Sequence, residues 1–137
     1  MEASGLGAAE QTAEKATILI ADDEESLRDI ASRVLASAGY KVLVANDGAA
    51  AIQALRNRAD EIRLVLTDVV MPGAGAEAIV EFLDTHGLEI PVVYTSGYSS
   101  RHVSLKFLDG ADVHLLRKPY NMQELLGTVS AALQGLA

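Results

Sequence analysis

Five short runs of β-branched and aliphatic residues recur along the chain, and their spacing restricts the fold more than any other feature. They cover residues 17–21, 41–45, 63–67, 91–95 and 112–116. Such continuous apolar runs are typical of strands that are covered on both faces. Each gap between them is long enough for a helical crossover, and right-handed crossovers return every strand in the same direction. We therefore predict an α/β fold with a parallel five-stranded sheet between two helix layers.

Two of the connecting helices have clear sequence signals. After the first strand, apolar residues recur at helical spacing and end before Gly39; they are Leu27, Ile30, Ala31, Val34 and Leu35. We assign Leu27, Ile30 and Val34 to the core rather than to a partner surface. In the last helix, Asn121 and Glu124 form a pattern typical of a capping box ahead of Leu125, Leu126, Val129 and Leu133. The segment Asn46-Asp47-Gly48 predicts a turn into the second helix.

Composition narrows the function classes. The 137 residues suit one domain, which we place at 16–137, after a flexible N-terminal arm or linker at 1–15 that has little to bury. A net charge of −8 argues against direct binding to nucleic acid. The chain has no cysteine, no apolar run of membrane-spanning length and no signal-peptide pattern. We therefore expect a cytoplasmic protein with no membrane partner.

Polar residues follow the predicted strands at the ends that should share one edge of the sheet. These residues are Asp22, Asp23, Asp68, Ser96 and Lys118. Taken singly, each has an ordinary explanation, as a helix cap, a turn former, a loop residue or a solvated lysine. Their joint placement at the edge where open parallel sheets bind ligands favours a common site.

The three aspartates point to a metal-assisted phosphoryl transfer. Two carboxylates about 4 Å apart repel by about 4 kcal/mol at an effective dielectric constant near 20, so a proton or a cation must relieve the cluster. Ligands that are all oxygen suit Mg²⁺ better than zinc. We expect Asp68 to attack a phosphoryl group in line, while Lys118 and Ser96 hold the phosphoryl oxygens.

Four segments together resemble the receiver domain of two-component response regulators, over about residue 16 to the C-terminus. They are ILIADDEE (18–25), LVLTDVVMPG (64–73), VVYTSGY (92–98) and RKPY (117–120). The TSGY segment is most similar to receivers of hybrid sensor kinases. The resemblance implies a flavodoxin-like sheet of order 2-1-3-4-5, with phosphorylation of Asp68 by a sensor histidine kinase or a histidine phosphotransfer protein. The resemblance further implies that the chain is a signalling switch that assists its own phosphorylation and dephosphorylation, rather than an enzyme.

The resemblance also implies individual roles. Asp23, Asp68 and the backbone carbonyl of Val70 would coordinate Mg²⁺ directly, with Asp22 acting through water. Ser96 takes the place of the family's switch hydroxyl because Pro91 sets its register, and Thr95 is the competing candidate.

Two positions depart from the family's pattern. Leu115 stands where an aromatic switch residue is common. The loop after Pro72 reads Ala74-Gly75-Ala76, which favours mobility.

Two other functions compete. A haloacid-dehalogenase-like phosphatase would need a second acid two residues after the nucleophile, and that position is Val70. A phosphorylation-independent pseudo-receiver would keep the fold but lose the switch, yet all five site residues are present. We expect no effector domain after the last helix, so that the output is contact with a downstream protein, or the chain is a segment of a hybrid kinase. Homodimerisation through the last two helices is left open.

Overall fold

The computed structural model describes residues 16–71, 73–97 and 114–135. The strands of this part are β1 Thr17–Ala21, β2 Lys41–Ala45, β3 Ile62–Asp68, β4 Val92–Ser96 and β5 His114–Arg117. Its helices are α1 Glu25–Ser37, α2 Gly48–Arg58, α3 Ala76–Thr85 and α4 Met122–Leu133. The predicted arm at 1–15 and the crossover between β4 and β5 lie outside the described residues.

The five strands form one sheet in the order β2-β1-β3-β4-β5. Every neighbouring pair is parallel, with β3 at the centre between β1 and β4, and with β2 and β5 at the edges. The predicted α/β class, the parallel sheet and the flavodoxin-like order are therefore confirmed. In this topology all strands end at the same edge of the sheet.

Helices cover both faces of the sheet, and each face has its own apolar core. On one face, α1 and α4 pack against the sheet with Ala31, Leu35, Leu125, Val129 and Ala132. On the other face, α2 and α3 contribute Ala51, Leu55, Ile79, Phe82 and Leu83. The central strands supply both cores, because successive side chains of a strand point to opposite faces. None of the helices within the described ranges has the length and apolar character needed to cross a membrane.

Asn121 caps the last helix as predicted, and Asp47, which was predicted only as part of a turn, caps α2. The Asp47 side chain accepts a hydrogen bond from Ala50 N (2.8 Å) at the start of α2. Asn121 Oδ1 accepts from Glu124 N (2.8 Å), and Glu124 Oε1 accepts from Asn121 N (2.9 Å), which completes the capping box of α4. These bonds satisfy amide groups that have no partner inside the helix.

The assignment of Ile30 to the core was wrong. Ile30 is 55% exposed, whereas Ala31 and Leu35 are buried. Leu27 and Val34 are half-buried and flank them. The buried stripe of α1 therefore centres on Ala31 and Leu35, and Ile30 lies outside it.

The bounds of β1 and β2 match the prediction, whereas those of β3 and β4 differ from it by one residue. β3 includes Ile62, which pairs with Thr17, and Asp68, which pairs with Thr95. β4 begins after Pro91, whose carbonyl still accepts a hydrogen bond from Val65 N (3.0 Å). Asp68 and Ser96 are thus the last residues of their strands rather than the first residues of loops.

Candidate functional site

The predicted site residues lie at the carboxyl edge of the sheet. Asp22 follows β1, Asp68 ends β3, Ser96 ends β4 and Lys118 follows β5. Asp68 is in register with Thr95 on β4, and Ser96 with Arg117 on β5. Because the strands are parallel and in register, residues far apart in sequence arrive at the same edge.

Lys118 connects the acidic residues of this edge. Its Nζ lies 2.9 Å from Asp68 Oδ2, 3.2 Å from Asp22 Oδ2 and 3.5 Å from Glu24 Oε1. The Lys118 side chain is only 11% exposed, and those of Asp22 and Asp68 are 6% and 10% exposed. A buried lysine with several carboxylate partners is held in place, because moving it would leave charges unpaired.

Asp22 is fixed by all of its hydrogen-bonding groups. Its amide donates to Ala45 O (3.1 Å), and its carbonyl accepts from Arg28 Nη1 (2.9 Å). Its Oδ1 accepts from Glu24 N (2.9 Å), while Oδ2 faces Lys118. These partners lie in β2, in α1, at Glu24 just before α1, and at the residue after β5, so four parts of the chain determine where Asp22 points.

The Asp68 side chain is held from two sides. Val70 N donates to its Oδ1 (3.3 Å), and Lys118 Nζ donates to its Oδ2 (2.9 Å). Burial raises the pKa of Asp68, an effect that the bonds from Lys118 and Val70 oppose and the charge of Asp22 reinforces. Burial alone would lower the pKa of Lys118, but the hydrogen bond and charge of Asp68, followed by those of Asp22, raise it above its ordinary value. Lys118 is therefore a permanent cation at neutral pH.

Asp22, Asp23 and Asp68 form a group that could hold a metal ion. Each offers a carboxylate oxygen, and these oxygens lie within 4.8 Å of one another. Asp23 is exposed, which gives the cluster an opening to solvent. The donor set consists of oxygens alone and therefore fits Mg²⁺.

Charge also favours a divalent cation at this edge. The acidic side chains there are Asp22, Asp23, Glu24 and Asp68, and the basic ones in contact with them or their backbone are Arg28 and Lys118. These residues carry two more negative charges than positive ones. A divalent cation would neutralise that surplus.

Ser96 and Thr95 differ sharply in their surroundings. Ser96 is half-buried, and its carbonyl accepts a hydrogen bond from Lys118 N (2.7 Å). Thr95 is 2% exposed, and its hydroxyl has no hydrogen-bond partner. As neighbours on one strand, the two side chains point to opposite faces of the sheet.

Two residues that contribute to the site, Glu24 and Arg28, were not among the predicted site residues. Glu24 reaches Lys118, and Arg28 binds the Asp22 carbonyl from the first turns of α1. The acidic run after β1 was a usable signal for Glu24. Nothing in the sequence pattern pointed to Arg28, because its contact depends on how the loop returns toward α1.

The loop after Asp68 is tied to α2. Gly48 N donates to Ala74 O (3.1 Å), and a Cβ at Gly48 would lie 2.1 Å from that oxygen. Ala76 N donates to Val69 O (3.4 Å) at the start of α3. The backbone around Ala74 is thus held at both ends, while the mobility predicted for this loop stays a prediction.

Residues 18–130 match the family model of the response regulator receiver domain. The chain belongs to this family. The receiver domain is 29% identical over 119 residues to the sensor kinase CckA of Brucella abortus, covering 87% of this chain and 13% of that protein. It is 32% identical over 110 residues to the response regulator SaeR of Staphylococcus aureus, covering 80% of this chain and 46% of that protein. The chain thus spans less than half the length of these relatives.

Solved structures show the same fold. A response regulator receiver protein from Sinorhizobium medicae is 31% identical, with a TM-score of 0.74 and coverage of 88% of this chain and 96% of that one. The receiver domain of the hybrid histidine kinase CckA is 28% identical, with a TM-score of 0.72 and coverage of 87% and 100%. The predicted membership in the receiver family, including its likeness to receivers of hybrid kinases, is confirmed.

Proposed function

We propose that this receiver domain accepts a phosphoryl group on Asp68 and passes the change to a protein partner. The observation that carries the proposal is the contact of Lys118 Nζ with Asp68 Oδ2 (2.9 Å) inside the cluster formed with Asp22 and Asp23. A carboxylate beside a fixed cation, at the open edge of a parallel sheet, is suited to act as a nucleophile toward phosphorus.

The transfer involves one bond exchange. An oxygen of Asp68 forms a bond to the phosphorus of a phosphohistidine as the N–P bond breaks, and the released imidazole nitrogen can take a proton from solvent. Lys118 is held at this edge by its other carboxylate partners, so its charge would stabilise the negative charge that develops on the phosphoryl oxygens. Ser96 supplies a hydroxyl to the same oxygens. Asp68 becomes an acyl phosphate.

The carboxylates of Asp23 and Asp68 and the carbonyl of Val70 would hold Mg²⁺, with Asp22 oriented toward it through water. When bound, the ion supplies neutralisation of the charge that the phosphoryl group brings to this acidic edge. The surplus of negative charge among the site residues supports this assignment.

The partners follow from the chemistry. A sensor histidine kinase or a histidine phosphotransfer protein would be the donor, and a downstream protein or a covalently linked kinase would receive the signal. In this proposal the domain is a switch that assists its own phosphorylation and dephosphorylation. Residues 1–15 would serve as an arm or linker to the domain at 16–137, and the cytoplasmic location and the homodimer stay predictions.

Intact-mass measurement tests the acceptor. With Mg²⁺ and acetyl phosphate, the wild-type chain should gain one phosphoryl group, and Asp68→Asn should gain none. Asp60→Asn, an exposed aspartate at the opposite edge of the sheet, is the matched control and should be labelled like the wild type. Equal labelling of Asp68→Asn would refute the assignment, and steady turnover of a phosphate ester would favour the phosphatase.

A further inference from the structure

Thr95 is an anomaly in the core of the described structure. Its side chain is buried, at 2% exposure. Over residues 16–71, 73–97 and 114–135, its Oγ1 is the buried side-chain polar atom without a hydrogen-bond partner. A buried hydroxyl that lacks a partner destabilises the state in which it occurs. The resting conformation therefore carries a defect at this position.

A second buried threonine shows that the fold can satisfy such a group. Thr67, on the neighbouring strand β3, is 0% exposed, and its Oγ1 donates to the carbonyl oxygen of Asp68 (3.0 Å). Both threonines are buried, and Thr67 pairs with Tyr94, the residue before Thr95. The missing partner of Thr95 is therefore specific to its position.

The position of Thr95 is beside the proposed phosphoacceptor. Thr95 is in register with Asp68 on one side and with Leu116 on the other. In-register residues of parallel neighbours have their side chains on the same face. Leu116 and Val93, two residues before Thr95, both belong to the core formed with α1 and α4. Thr95 and Asp68 thus occupy adjacent places on this face, and Ser96 occupies the other.

We propose that the Thr95 hydroxyl gains its missing partner when Asp68 is phosphorylated, by donating a hydrogen bond to an oxygen of the modified Asp68 side chain. This inference rests on the proposed phosphorylation of Asp68. It adds to Ser96 a second hydroxyl that senses the phosphoryl group, from the opposite face of the sheet.

The resting contacts of Asp68 explain why the hydrogen bond from Thr95 would form only after phosphorylation. In the resting state, Asp68 Oδ2 is bound to Lys118 and Oδ1 to Val70 N. Formation of the acyl phosphate removes the carboxylate charge from Asp68 and adds phosphoryl oxygens that attract Lys118. A side-chain oxygen of the modified Asp68 would then be free to accept a hydrogen bond from Thr95, which is in register with it on the neighbouring strand. Because the resting state alone keeps the unsatisfied hydroxyl, the bond would favour the phosphorylated conformation.

Resting stability provides the first test, by urea unfolding of the unphosphorylated chain. Thr95→Val removes the hydroxyl while keeping the branched shape, and the unfolding midpoint should stay equal or rise. Thr95→Ser keeps the hydroxyl with a smaller side chain. Thr67→Val is the matched control and should lower the midpoint, since it removes a hydroxyl that has a partner. A midpoint for Thr95→Val that falls as far as that of Thr67→Val would overturn the inference, because it would mean that the resting hydroxyl is bonded.

Binding of beryllium fluoride, a phosphoryl mimic, with Mg²⁺ provides the second test. Thr95→Val should bind it about tenfold more weakly than the wild type, which corresponds to ~1.4 kcal/mol, and Thr95→Ser should recover most of the affinity. Equal affinity of Thr95→Val and the wild type would overturn the inference while leaving the proposed function intact. If the wild type neither binds the mimic nor gains a phosphoryl group, the proposed function fails, and the inference fails with it.

Discussion

Lys118 Nζ and Asp68 Oδ2 lie 2.9 Å apart although the residues are 50 positions apart in sequence. Both side chains are nearly buried, and Asp22 shares the same lysine. Removal of the lysine would leave two neighbouring carboxylates without their cation. Loss of one partner from a buried ionic group is more destabilising than loss of an exposed pair.

We therefore expect Lys118→Met to lower the free energy of unfolding by about 3 kcal/mol. The measurement is urea unfolding in buffer that contains a chelator, so that no cation compensates. Lys41→Met, an exposed lysine at the start of β2, is the control and should change stability little. Equal stability of Lys118→Met and the wild type would show that the contact contributes nothing.

Removal of one carboxylate from the acidic cluster should weaken Mg²⁺ binding. Asp23 is the exposed member of the group, so Asp23→Asn should leave the fold intact. Loss of a residue that only holds a metal ligand in place weakens metal binding by ~10-fold or more. We expect the Mg²⁺ affinity of Asp23→Asn, measured by titration calorimetry, to fall by more than that because Asp23 would be a ligand itself. Asp60→Asn should bind Mg²⁺ like the wild type, and an unchanged affinity of Asp23→Asn would exclude it as a ligand.

The contact between Gly48 and Ala74 predicts opposite effects at two helical glycines. A Cβ at Gly48 would lie 2.1 Å from Ala74 O, whereas a Cβ at Gly127 in α4 meets nothing within 4 Å. Gly48→Ala should therefore destabilise the domain by about 2 kcal/mol or more through overpacking. Gly127→Ala should stabilise it by about 0.5 to 1 kcal/mol. Thermal unfolding of both variants checks the sign, and a neutral Gly48→Ala would mean that the loop at Ala74 shifts freely.

The capping box of α4 should contribute measurably to stability. Asn121→Ala removes the acceptor of the bond from Glu124 N (2.8 Å), and we expect a loss of ~1 kcal/mol in urea unfolding. Asn57→Ala, at an exposed position inside α2, is the matched control and should change stability by a few tenths of a kcal/mol at most. If both variants lose the same stability, the cap has no special role.

The tyrosines predict a loss of stability at alkaline pH. Burial raises the pKa values of Tyr40, Tyr94 and Tyr120 above the ordinary value of 10.0, with smaller contributions from nearby carboxylates at Tyr94 and Tyr120. A raised folded-state pKa means that the folded protein holds these protons more tightly. The corresponding stability is complete below the unfolded pKa and is lost as pH rises through the folded pKa values. Urea unfolding across this range should show a falling free energy, and a flat profile would contradict the prediction.

The sheet and the meeting of the site residues could be predicted because they depend on local patterns. Apolar runs set the strands, and parallel topology brings Asp22, Asp68 and Lys118 to one edge. The position of Ile30 was mispredicted because a helical stripe says which residues share a face, not where its buried centre lies. The roles of Arg28 and of the Thr95 hydroxyl depend on loop path and side-chain partners, which no periodicity encodes.

The fixed position of Asp22 affects which divalent ions this edge of the sheet would accept. Its backbone and carboxylate are already immobilised by Ala45, Glu24, Arg28 and Lys118. When an ion binds at this edge, the Asp22 side chain would therefore lose little conformational entropy. The exposed Asp23 side chain would lose more, because it is free to move before the ion binds. Because Asp22 cannot move, the site would disfavour larger divalent ions, which need a wider and more flexible coordination shell. Selection between small and large divalent ions would therefore depend on the backbone around β1 as much as on the ligands.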